Sequence, residues 1–120
     1  AWALYVGRDA HGLRGHPRLH NPFPVKPAGG DSGEVIVYGP NGPERCDAGR
    51  ALGYYRQHLT IRCHEDPRLP AELEAIAANR RILVCWCGWQ KPCHACIVAE
   101  FAVSYLAIAA ISAACSAARA

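Results

Sequence analysis

Four cysteines and one histidine fall within a twelve-residue stretch, Cys85-Trp86-Cys87-Gly88-Trp89-Gln90-Lys91-Pro92-Cys93-His94-Ala95-Cys96. Thiolates and imidazoles are the ligands that tetrahedral zinc prefers. On a strand, side chains at i and i+2 point to one side, so Cys85 and Cys87 share a face. Pro92 suits the first turn of a helix, which places Cys93 and His94 at a helix head. The spacing therefore predicts a strand end and a helix start converging on one zinc ion through Cys85, Cys87, Cys93 and His94. Two sulfurs on a flat strand stand too far apart for one ion, so the strand must curl at Trp86-Cys87, which Gly88 permits. Four protein ligands close the coordination shell and make the zinc structural. Cys96 is an alternative to His94 in that set.

Two other readings of these residues stay open. Cys93, a thiol at a helix N-terminus after a strand, would serve as a nucleophile with His94 as base. Neighbouring helical residues diverge by about 100°, which sets the two poorly for that task. Alternatively, Cys85 and Cys96 are small core hydrophobes and no metal binds. Cys46, Cys63 and Cys115 are expected in the core.

A second group of chemically able residues lies near the N-terminus. Arg8, His11, Arg14, His16, Arg18 and His20 alternate with Gly7, Gly12 and Gly15. Glycines let backbone approach an anion, and arginine offers forked donors to phosphate. In open α/β sheets, ligands bind beyond the carboxyl ends of strands. A nucleotide or other phosphorylated ligand is expected here, with Arg8 and Asn21 as contacts. Pro22 holds Asn21 extended, and Phe23 anchors the loop so that Asn21 presents its amide inward. The competing reading is a solvated basic loop.

These groups need elements to position them. Trp2 to Val6 reads as a buried strand, and it lacks the basic flank of a leader. Asp9 to Gly33 has no hydrophobic period and reads as one long loop. Glu34 to Tyr38 has strand character, and Gly39 to Pro43 is a turn, giving a peripheral hairpin. Asp47 caps a helix running to about Cys63, with Leu52, Tyr55, Leu59 and Cys63 on one face. Pro70 opens a second helix over 71–79. Ile82 to Trp86 is the strongest strand, and a last helix runs from near Cys93 towards Ala118. The order predicts a single small α/β domain over 1–120, with a short parallel or mixed sheet covered by helices.

Phe101 to Ala118 carries no charge and meets the lower length limit for a membrane span. Most of it is Ala and Ser, however. Its larger side chains, Ile97, Phe101, Tyr105, Ile108 and Ile111 or Ser112, recur three or four apart as one packing stripe. A core helix, or one meeting a second copy in a homodimer, is expected rather than a membrane span. The net charge of +3 is too mild to indicate nucleic acid by itself. Seven cysteines, an odd number and clustered, do not form a secreted disulfide framework. A reducing, cytoplasmic setting follows.

Gly7-Arg8, Asn21-Pro22-Phe23, Tyr55-Arg56 with Leu59, and Leu83-Val84-Cys85-Trp86-Cys87 followed by Cys93-His94 together resemble the domain of unknown function 4326 family. The resemblance spans roughly Tyr5 to Glu100, and its most specific part is the Cys-Trp-Cys with the downstream Cys-His. It implies a small intracellular α/β domain, widespread in phage and bacterial genomes. The family pattern commonly continues Cys-His-Gly-Asp, where this chain has Cys93-His94-Ala95-Cys96. The segment from Gly33 to Cys46 resembles an insertion. Three functions remain in view. The first is a zinc-binding domain that holds a phosphorylated ligand. The second is a thiol- or zinc-dependent enzyme using Cys93. The third is a phage-type protein-interaction module.

Overall fold

The computed structural model of the chain describes residues 3–8, 14–30, 33–84 and 93–119. Among these residues five strands and three helices are assigned, in the order β1 (Ala3–Tyr5), β2 (Val25–Pro27), β3 (Val35–Gly39), β4 (Gly42–Cys46), α1 (Ala48–Glu65), α2 (Arg68–Ala78), β5 (Ile82–Val84) and α3 (His94–Arg119). β1 and β5 pair in parallel, Leu4 opposite Leu83, and Val6 N–H extends the ladder to the Val84 carbonyl at 2.9 Å. β2, β3 and β4 form a separate antiparallel sheet. The protein is a small α/β domain, as its element order predicts.

The hairpin forms where its turn residues require it. Gly39 faces Gly42, so Pro40-Asn41 make the two-residue turn, and Gly42 takes the positive φ of 101° that glycine tolerates. β2 is a departure from the expected long loop. It has no period to betray it, because it is three residues long and is held as an edge strand by its partner. Pro24 and Pro27 are tolerated there because an edge strand need not donate on both sides. Val35, Val37, Cys46 and Ala51 form a minor core beneath this sheet.

α1 begins as its cap predicts, with Asp47 Oδ1 accepting from Arg50 N–H at 2.8 Å. Tyr55, Leu59 and Cys63 are buried on the expected face, and Leu52 is half-buried. α2 starts earlier than expected, at Arg68. Asp66 ends α1 and its side chain also accepts the Arg68 N–H at 3.1 Å, so one residue joins both helices. Pro70 still lies in the first turn, where its missing N–H costs nothing. Leu69, Leu73 and Ile76 of α2 meet Ile97, Val98 and Ala102 of α3 in the main core, with Val6 and Leu19.

α3 is core for only half its length. Ile97 and Val98 are buried and Phe101 and Tyr105 half-buried, but Ile108 and Ile111 are 56% and 63% exposed. The expected stripe therefore stops packing after Tyr105, which is the last α3 residue against the main core among the described residues. Cys115, expected in the core, is exposed for the same reason. The molecule is drawn out to 61 × 29 × 24 Å by this projection. His94–Ala117 is long and apolar enough to cross a membrane by length and composition, yet its first turns are committed to the core.

α2 ends in a paired-carbonyl stop. Arg81 N–H reaches the Ile76 carbonyl and Arg80 N–H the Ala77 carbonyl, each at 3.1 Å, with Arg80 left-handed at φ 51°. Left-handed geometry disfavours a residue with a Cβ. Arg80→Gly is expected to raise unfolding free energy by roughly 1 kcal/mol in a denaturant titration, and a loss of stability would contradict this account.

Candidate functional site

β1 delivers Arg8 to the surface by a local device. The Tyr5 hydroxyl donates to the Arg8 carbonyl at 2.6 Å, and the ring passes directly over Gly7. A Cβ at Gly7 would lie 2.5 Å from that hydroxyl, so any side chain here would displace the Tyr5 ring from its bond to Arg8. The Gly7 carbonyl accepts the His16 N–H at 2.9 Å, which ties the returning chain to the strand end.

His16 organises the turn that follows. Its Nδ1 accepts the N–H groups of Arg18 and Leu19 at 3.2 and 3.1 Å. Its Nε2 lies 2.8 Å from Glu72 of α2, and its carbonyl accepts from His20 Nδ1 at 2.7 Å. The ring is thus neutral, with its hydrogen on Nε2. Burial holds the His16 pKa below its ordinary 6.5, against the pull of Glu72. Arg18 also reaches Glu72, with Nε 2.7 Å from the carboxylate. Leu19 is fully buried, and its carbonyl accepts the Tyr55 hydroxyl at 2.6 Å. This basic segment is therefore pinned to the domain and is not a loose solvated loop over 14–20.

Between this turn and the end of β1 lies a cleft of ≈ 400 Å³ lined by Arg8, Gly15, His16, Pro17 and His20. Among the described residues Arg8 and Arg14 make no ion pair, whereas Arg18 is neutralised by Glu72. His11 lies outside the described residues. Asn21, expected to present its amide inward, turns its side-chain oxygen to the Phe23 N–H at 2.9 Å and shapes the turn. Phe23 does anchor the loop, packing against Tyr54 and edge-on to His58 at 5.8 Å.

Cys93 and His94 stand side by side at the start of α3, the thiol half-buried and the imidazole 3% exposed. Cys85 and Cys87 lie outside the described residues. Among the described residues, no three His, Cys, Asp or Glu side chains gather where they could hold a metal. His94 Nε2 lies 2.7 Å from the Val6 carbonyl. A carbonyl only accepts, so Nε2 carries the hydrogen and any metal bond from this ring must come from Nδ1. Burial lowers its pKa, against the opposing pull of the Val6 hydrogen bond, and keeps it neutral. Its ring also meets Tyr55 edge-on at 5.0 Å. Cys96, the alternative ligand, is exposed.

Sequence reasoning missed Glu72, Tyr55 and Asp66, which hold the turn and the helix elbow. Glu72 and Asp66 carry no sequence signal because their partners are distant in the chain or depend on backbone direction. Tyr55 was legible only as a core position.

No curated protein and no solved structure matches the chain. The sequence model of a domain of unknown function, DUF4326, matches residues 1–104. That range takes in the cleft, the head of α3 and nearly all of the packed core, and it stops where α3 leaves the body. The chain belongs to the domain of unknown function 4326 family.

Proposed function

We propose that the protein binds a nucleotide or another phosphorylated ligand in the cleft at the end of β1. The observation that carries this reading is the ≈ 400 Å³ cleft, with Arg8 at its wall and, among the described residues, in no ion pair with a carboxylate. Arg8 supplies a forked cation, and Gly15 offers close backbone approach. Inorganic phosphate and nucleoside monophosphates are the probes, titrated by calorimetry. Arg8→Ala is expected to weaken binding by about tenfold or more, the scale of one charge-assisted hydrogen bond, with melting unchanged. Equal affinity in the two proteins, or no saturable binding, overturns the reading. A steep fall with salt for oligonucleotides only would point to nucleic acid instead.

Zinc belongs to the same reading. Cys93 and His94 fit it from the α3 side, since His94 has the carbonyl-braced geometry of a metal-ligating imidazole. Cys85 and Cys87 would complete the tetrahedron. Bound zinc would tie the strand end to the helix head and contribute on the order of 10 kcal/mol of folding free energy. Reductant-treated protein is expected to hold one equivalent of zinc, to melt lower after chelation, and to lose the metal in Cys93→Ser. Rapid alkylation of Cys93 in zinc-loaded protein would favour the nucleophile instead. Metal-free protein whose melting ignores added zinc would end the proposal.

The bare half of α3 favours a second reading, a contact surface for another copy of the chain. Val103, Ile108 and Ile111 are all more than half exposed on a stretch with no charge. Sedimentation is expected to show concentration-dependent dimers, abolished by Ile108→Lys with Ile111→Lys. A monomer at all concentrations would remove this reading.

A further inference from the structure

The turn that walls the cleft is built on a ring nitrogen that cannot be protonated without breaking it. His16 Nδ1 has one lone pair, and both the Arg18 and the Leu19 N–H groups point at it. A proton there would turn the acceptor into a donor facing two donors. Nε2 already holds its hydrogen towards Glu72, so the second proton has no other nitrogen to occupy. The rest of the turn hangs on the same residue. Its N–H holds Gly7, next to Arg8, and its carbonyl holds the ring of His20.

We propose that His16 is a proton-operated latch on the cleft, so that acidification frees the 14–20 turn and weakens the hold on an anionic ligand. The effect on binding rests on the phosphorylated-ligand reading above; the opening of the turn does not.

Among the described residues, three charged or titratable groups act on this ring. Glu72, from α2, favours the cation, and Arg18 and His20, within the turn itself, oppose it. Burial opposes it further, and the balance lies downward from 6.5. The neutral ring therefore stabilises the turn above the ordinary histidine pKa, and that stabilisation is lost as pH falls through the lowered value. Glu72 then keeps a cationic ring in place as an ion pair while the backbone donors it had been accepting from are released.

The latch has a sign that simple charge does not. Protonating His16 adds positive charge to the cleft, and charge alone would tighten an anion as pH falls. Release of the turn does the opposite. Sulfate is a suitable probe because its charge is constant over this range.

The test follows the full chain by nitrogen-edited NMR from about pH 7.5 to about pH 5, across the histidine range. The Arg18 and Leu19 amides are expected to lose protection from exchange with the same midpoint as the His16 ring nitrogens, while α1 amides stay protected. In His16→Asn, the amide oxygen accepts the same two N–H groups without titrating, so their protection should persist. Sulfate affinity should drop by about fivefold in the wild type, the scale of one hydrogen bond, and hold or rise in the variant. Amides that stay protected after the His16 ring has titrated overturn the latch, and so does a variant that loses protection at the same pH as the wild type. If His16→Asn does not fold, the wild-type ring and amide midpoints alone decide. Amides that open as expected, with no sulfate bound at any pH, leave the latch standing and overturn the ligand reading.

Discussion

Leu19 is the point at which a polar segment becomes part of the body. It is fully buried among α1, α2 and α3 residues, although most of its sequence neighbours are basic or glycine. Burying such a side chain contributes about 1.5–3 kcal/mol. Carrying it inward also buries its carbonyl, which would cost about 1–3 kcal/mol if left unpaired. The Tyr55 hydroxyl meets that need from the inner face of α1. The surrounding polar bonds then have fixed ends: His16 and Arg18 on Glu72, the Gly7 carbonyl on His16, and His20 on the same turn. That one apolar insertion and these bonds together hold the wall of the cleft against the end of β1.

Much of the fold was legible because it rests on local signals. Asp47 announces α1, Gly39 to Pro43 announces the hairpin, and the runs at Leu4 and Leu83 give the parallel pair. What was not legible depends on tertiary partners. β2 exists only because β3 offers it a register, and α2 begins at Arg68 because Asp66 turns its carboxylate to cap it. The periodic stripe on α3 continues through Ile108 and Ile111 in sequence, but a period cannot reveal where the neighbouring helix stops. Cys115 falls on the wrong side of that boundary.

The candidate site divides along the same line. That the segment after β1 is basic and glycine-rich could be read directly, and Arg8 stands at the cleft. Which cations are already neutralised could not be read, since Arg18 finds its carboxylate on α2, fifty-four positions later in the chain. Asn21 was a plausible ligand contact by type, and its oxygen instead serves its own turn. His94 was read as a metal ligand by spacing. Its ring also joins the head of α3 to the end of β1 through the Val6 carbonyl, and Val6 is in turn paired with Val84 of β5. Part of the strand-to-helix connection expected of zinc is therefore made by the protein itself.

Among the described residues, no residue of α3 beyond Tyr105 is buried, so its coil must be sustained by the residues themselves. Alanine forms helix better than any other residue, and this stretch is largely alanine. The alanine-rich composition thus has a mechanical result: a stiff rod projecting from the body. Such a rod has no cooperative unit to melt with. Heat should shorten it gradually from its end, while the body that carries it gives way in a single step.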